Sequence, residues 1–417
     1  MTDVNVKTLC PLPWLHLSAH LDTSLRICCN TDTTGFVKTD DGNNILLKDL
    51  SNLNEYFNLN FFKDIRAKML KALRPKTCQK CYEIEDAGGH SVRQSYLDIY
   101  LDDTIFLDSL KKTRSDGTIT PKVQSLDFSL SNKCNLKCLM CSPYASYSIK
   151  NDWKKLKLDY YDTFTQDAFH NWKDLPNLES LTKLLSAHLK HVLTTGGEPF
   201  LNQTHFKLVE YLVESGHAHK IELTYHTNCT VYNGKLFKLW KNFKKINLHF
   251  SLDAVGDLNG YIRHKSTWAI IEKNIHYFLH HPKTNCEVHT TIQAINIFNL
   301  PELYEWMRTK PNLGNLPFHI WIDHPPWLHI DILPTQLKKL ALVRILQYFK
   351  TIPDKEKDYH FEAYEQQIVS YLKRSLTSPQ DKKNLEQFKQ LIPQFEKIRS
   401  QKPIQELVPE ISTILSS

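Results

Sequence analysis

Cys134, Cys138 and Cys141, spaced x3 and x2, constrain this chain more than any other feature, because they number three and not four. A structural zinc or iron–sulfur site closes its coordination shell with four protein ligands. Three thiolates at this spacing can hold three irons of a [4Fe–4S] cube and leave the fourth iron open to a small molecule. The triplet follows the apolar run 125–130, which predicts a loop at the C-terminal end of a strand. On spacing alone a zinc knuckle stays open as the alternative.

From 123 to about 325, β-rich apolar runs alternate with segments of helical spacing. The strand candidates are 125–130, 190–195, 220–226, 246–252, 286–294 and 317–323. Such alternation predicts a parallel sheet with helices outside it. The chemistry-bearing residues all fall at the ends of these runs or just after them: Gly196-Gly197-Glu198-Pro199, Thr227-Asn228, Ser251 to Asp253, and Gln293 to Asn296.

The cysteine triplet, the GGEP sequence and the strand-end residues in this order resemble the radical S-adenosylmethionine (radical SAM) family, over roughly residues 123 to 300. The resemblance implies an α/β fold, a partial (β/α)6 TIM-like barrel, occupying 120–330. It implies a [4Fe–4S] cluster on Cys134, Cys138 and Cys141 that binds exchangeable S-adenosyl-L-methionine. Gly196 and Gly197 would let the backbone approach the ligand, and Glu198 would pair with its ammonium. Ser251 and Arg263 match positions that hold the methionine carboxylate. Asp253 and Asn228 are placed near the ribose, and Ala294 to Asn296 would offer backbone to adenine. The implied reaction is reductive cleavage to a 5′-deoxyadenosyl radical that abstracts hydrogen from substrate. A flavodoxin- or ferredoxin-type protein is the implied electron donor. Met140 stands where the family often has an aromatic.

Four further cysteines, Cys10, Cys28, Cys78 and Cys81, come from separated N-terminal segments that one metal would draw together. A hairpin is expected over 15–29, turning at 21–24. Zinc and iron–sulfur both satisfy four thiolates. The pattern resembles the auxiliary-cluster module called SPASM, or twitch in its shortened form, so residues 1–115 are expected to carry an auxiliary [4Fe–4S] cluster. Thr23 replaces the usual turn glycine. Counting on from it makes Cys28 the ligand and leaves Cys29 as a packed thiol on the other face of the strand.

Two groups are candidates for direct chemistry. Cys229 could reach the barrel mouth as a hydrogen-atom donor or base, with simple packing as the competing reading. Asp323 leads a loop, 323–329, that could line the substrate pocket or merely seal the barrel. Residues 142–189 read as a helical insertion near the site. Residues 331–417 read as a helical extension packing on the barrel through Leu385, Phe388, Leu391 or Ile392, Phe395 and Ile398.

The chain has 417 residues, with 41% hydrophobic and 23% charged. That is ordinary globular composition, enough for two to three domains. A net charge of +7 is modest, and no RNA-binding module is visible, so nucleic acid is not expected as a partner. No apolar run approaches the ~20 residues a membrane span needs. No secretory signal pattern opens the sequence, and a cytoplasmic location is expected. The expected substrate is a peptide or protein side chain. A small molecule (nucleotide, sugar or cofactor precursor) is the alternative within enzymes, and a non-catalytic metal-binding scaffold is the alternative outside them.

Overall fold

The structure, a computed structural model, describes residues 6–415 except 40, 87–88, 159–178, 180, 183–184, 186 and 358. Its frame is an eight-stranded sheet in the order β2-β1-β3-β4-β5-β6-β7-β8. Six strands, β3 (Ser125–Ser129), β4 (His191–Thr195), β5 (Glu222–Thr227), β6 (Lys245–Ser251), β7 (Thr284–Ile292) and β8 (Phe318–Trp321), follow one another in parallel. Each lies within two residues of the run expected for it. Helices such as Gln203–Glu214 and Trp268–Leu279 connect them.

Burial alternates along β4, β5 and β6, while β3 is buried throughout. Leu223 and Tyr225 of β5, and Ile246, Leu248 and Phe250 of β6, are buried against the helical layer. The residues between them face the barrel interior. The helix Gln203–Glu214 shows why the outer layer forms. Asn202 caps it by accepting from the Thr204 and His205 amides, and His205, Leu208, Val209 and Leu212 recur on its buried face.

The N-terminal hairpin is built into this sheet. Strand β1 (His16–Ala19) turns into β2 (Leu25–Arg26), pairing antiparallel, and its other edge pairs in parallel with β3. Thr23 takes φ +68° in the turn, the left-handed backbone that favours glycine. Around the hairpin, buried Arg66 donates to the carbonyls of Gly117 and Pro13 at 2.7 and 2.8 Å, which ties three separate segments together.

The C-terminal extension is built mainly of the long helices Thr335–Thr351, Tyr359–Thr377 and Lys382–Arg399, with the short helix Ser412–Leu415 after them. Leu385, Phe388, Leu391, Ile392 and Phe395 are buried, as the helical spacing predicts. Phe395 stacks on Trp327 with centroids 5.9 Å apart, next to the end of β8. Within the 142–189 insertion, Lys150–Lys155 is helical, while 159–178 lies outside the described residues.

Candidate active site

The cysteine triplet lies on the loop after β3, and the loop after β4 holds it in place. Gly196 and Gly197 have φ +84° and +59°, and a Cβ on them would lie 2.6 Å from the Ser131 carbonyl oxygen and 2.3 Å from that of Lys133. Only glycine lets the two loops touch. The Glu198 amide then donates to the Lys133 carbonyl at 2.9 Å, one residue before Cys134.

The three thiols converge. Burial and their mutual proximity push Cys138 and Cys141 up, Cys141 to about 12, while Arg263 pulls both back. Thiols that oppose one another's ionisation in this way are what a cationic iron group would neutralise, so the donor set fits a cluster. Hydrogen-bond donors surround the sulfurs. The Leu136 amide lies 3.4 Å from Cys134 Sγ, Asn228 Nδ2 lies 3.7 Å from the same atom, and Arg263 Nη1 lies 4.0 Å from Cys138 Sγ.

Glu198 is fully buried and accepts from Thr227 Oγ1 at 2.9 Å, from the Asn228 amide at 2.8 Å and from the Phe200 amide at 3.3 Å. Burial nevertheless lifts its carboxyl to about 7. A carboxylate held this way gains from a cation brought against it. Arg263 Nε sits 2.8 Å from Asp253 Oδ2, and Asp253 Oδ1 accepts from the Thr291 amide at 2.9 Å. The pair fixes the guanidinium between the ends of β6 and β7 and beside Cys138. Asn296 donates to the carbonyls of Asp253 and Thr291, both at 2.9 Å, and braces the same two strand ends. The Ala294 amide is taken by the Leu328 carbonyl. Ser251 closes β6 on the interior face.

Cys10, Cys28, Cys78 and Cys81 line one cavity, which also contains Asn30 and Arg93. Asn30 Nδ2 donates to Cys81 Sγ at 3.2 Å. Four thiols around one space fit a metal centre. Cys29 points elsewhere, its thiol bonding the fully buried Asp127 while the residue as a whole is exposed.

Between the two cysteine groups lies a cavity of about 400 Å³. His20, Arg26 and Phe36 of the N-terminal segment, Met140 and Tyr144 of the cluster loop, and His324 after β8 contribute to its walls. Thr31 lines both this cavity and the four-cysteine one. Arg26 reaches back to the fully buried Asp127, 3.8 Å away, and donates to Ser18 Oγ at 3.2 Å.

Two sequence candidates are corrected. Cys229 does not reach the barrel mouth. It has φ +61°, is fully buried, and turns its thiol into the core towards the Thr227 carbonyl, where burial pushes the thiol far up. Asp323 is exposed, and its neighbours His324 and Pro325 line the cavity in its place. Sequence reasoning did not single out Arg26, Tyr144 or Asn135. Asn135 accepts from Asn228 Nδ2 at 3.1 Å and so links the cluster loop to β5. The position of Arg26, two residues before Cys28 on one strand face, was the available signal.

Residues 128–307 match the family described as the Radical SAM superfamily. No curated protein matches the chain. Solved structures do. One is described as native anSMEcpe with bound AdoMet and Cp18Cys peptide, at 17% identity and TM-score 0.40, covering 59% of this chain and 65% of that one. Another is Streptococcus suis SuiB bound to S-adenosylmethionine, at 14% identity and TM-score 0.39, covering 76% and 66%. SuiB bound to precursor peptide SuiA is similar at 16% identity and TM-score 0.36, again covering 76% and 66%. In each pair the chain spans just under two thirds of the solved protein's length. The triplet loop, the glycine pair and the strands β4 to β7 lie together in this one region, residues 128–307, which matches the radical SAM superfamily.

Proposed function

We propose that this protein is a radical SAM enzyme that modifies a peptide or protein side chain and carries a second, auxiliary [4Fe–4S] cluster. The observation that carries the reading is the cavity of about 400 Å³ walled by the triplet loop on one side and the four-cysteine segment on the other. Its volume suits a side chain with its flanking backbone. When bound, the cluster and S-adenosyl-L-methionine supply a 5′-deoxyadenosyl radical by one-electron reduction.

The chain's own residues bind, orient and shield. Cys134, Cys138 and Cys141 would hold the first cluster, and Cys10, Cys28, Cys78 and Cys81 the second. Glu198, desolvated on the loop after β4 and held by Thr227 and the Asn228 amide at the end of β5, receives the ligand's ammonium. Arg263, oriented by Asp253, presents a fixed fork to its carboxylate, and Ser251 adds a hydroxyl from β6. Asn228 donates to Cys134 and keeps the triplet loop against the strand end. Arg26, His20 and Tyr144 give the cavity a polar wall opposite Met140, and Phe36 and Trp153 exclude water from it. A flavodoxin- or ferredoxin-type protein serves as electron donor.

The test uses anaerobically reconstituted protein. About eight irons, with 5′-deoxyadenosine released after dithionite reduction, support the two-cluster enzyme. Cys134→Ala should abolish release and keep about four irons. Full iron without release under any candidate peptide would leave a metal-binding scaffold in its place.

A further inference from the structure

Three histidines that the family motifs do not use meet inside the barrel. His226 of β5, His249 of β6 and His289 of β7 occupy the interior faces of adjacent strands. His226 and His249 are register partners, and His289 pairs with Ser251, two residues beyond His249. One nitrogen from each ring lies within 4.8 Å of the other two. We propose that these three imidazoles form a mononuclear site for a divalent cation of the zinc class, beneath the S-adenosylmethionine site and separate from both cysteine groups.

The donor chemistry sets the class of ion. Three imidazoles with no thiolate or carboxylate among them suit zinc and its neighbours, not magnesium or calcium. Three protein ligands also leave a fourth position open, as in zinc sites that bind water or substrate. The ring nitrogens of a tetrahedral site with ~2.0–2.1 Å bonds stand about 3.3 Å apart. Closing from 4.8 Å therefore takes side-chain rotation and no movement of the sheet.

The present ring arrangement has room for that rotation. His249 and His289 are stacked with centroids 4.1 Å apart, and His226 meets His249 edge-on at 4.8 Å. A shared ion turns the stacked pair so that both lone pairs point between them. His249 Nδ1 has no hydrogen-bond partner among the described residues. His289 Nε2 likewise has no hydrogen-bond partner among the described residues, the Glu287 carboxylate lying 3.8 Å away.

Position gives the site its interest. Each histidine lies one or two residues before a strand end that shapes the ligand pocket: Thr227, which donates to Glu198, then Ser251, then Thr291, which donates to Asp253. Two residues of strand are about 7 Å. An ion there would lie on the floor of the chamber in which the proposed radical chemistry occurs.

The experiment uses holoprotein with both cysteine groups filled with iron, stripped of loose metal by a chelating resin and then given zinc chloride alone. The expected result is one retained zinc per chain. Its X-ray absorption should show a nitrogen/oxygen shell at ~2.0 Å and no sulfur at ~2.3 Å. His249→Ala and His289→Asn should each weaken zinc binding at least tenfold with iron content and circular dichroism unchanged. A sulfur shell, zinc below one tenth of an equivalent, or equal binding by both well-folded variants overturns the proposal. Because none of these readouts depends on S-adenosylmethionine cleavage, the site can stand or fall apart from the proposed activity.

Discussion

Arg399 donates to the Asp152 carboxylate at 2.9 Å across 247 residues of sequence. The other carboxylate oxygen accepts from Lys137 at 2.6 Å, and Lys137 lies inside the cysteine triplet. The last long helix is therefore fastened to the loop that carries the cysteine triplet. Arg399→Ala leaves Asp152 with one partner and should cost about 3 kcal/mol of stability, measured by denaturant unfolding of the reconstituted protein. Burial pushes Asp152 up, but the hydrogen bonds from Lys137 and Arg399 outweigh it and hold the carboxyl below its ordinary range. A depressed carboxyl contributes stability that is present above its unfolded pKa and is lost as pH falls through the folded one. The Arg399→Ala protein should therefore show a shallower loss of stability below pH ~4 than the wild type.

Glu198 titrates with the opposite sign. Its carboxyl is lifted from 4.5 to about 7, chiefly by burial. Its contribution is present in full below the unfolded value and is lost as pH rises towards the folded one. Glu198→Gln does not titrate, so between pH 4.5 and 7 the wild type should lose on the order of 3 kcal/mol relative to it. Urea unfolding of both ligand-free proteins at pH 5 and pH 8 measures this. Equal changes in the two would show that Glu198 is solvated.

Gly197→Ala tests the contact between the two loops. The new Cβ would sit 2.3 Å from the Lys133 carbonyl oxygen, so the triplet loop must move. Iron should drop from about eight to about four per chain, with S-adenosylmethionine cleavage lost. Gly216→Ala is the control, since Gly216 has φ +75° but nothing within 4 Å of the added Cβ. It should cost about 1 kcal/mol and keep all the iron.

Cys28→Ala and Cys29→Ala separate two adjacent thiols. Cys28 lines the four-cysteine cavity, while Cys29 bonds Asp127. Loss of about four irons in Cys28→Ala alone is the expected result. Loss in Cys29→Ala alone would reverse the assignment.

The parallel strands were legible because each couples an apolar run to chemistry at its end, as in 190–195 followed by Gly196-Gly197-Glu198. Helix burial at Leu385, Phe388 and Phe395 was legible for the same local reason, a repeat within one element. What stayed hidden was relation between elements. Nothing local says that Asp253 meets Arg263, that Arg399 meets Asp152, or that His226, His249 and His289 share a level of the barrel. Whether Cys229 packs or faces the mouth could not be read locally, because its orientation depends on a single positive φ after Asn228. The histidines did carry a signal, one interior position on each of three successive strands, which only register could turn into a cluster.

The parallel pairing of β1 with β3 bears on how the protein is made. The residues that β1 pairs with, from Ser125 onward, are synthesised about a hundred positions after His16. Until they emerge, β1 presents an open edge to the ribosome's surroundings, and Cys10 and Cys28, on either side of the hairpin, lack a fixed frame. A nascent chain halted before β3 should therefore take up iron poorly at its first four cysteines, even though all four have already been translated.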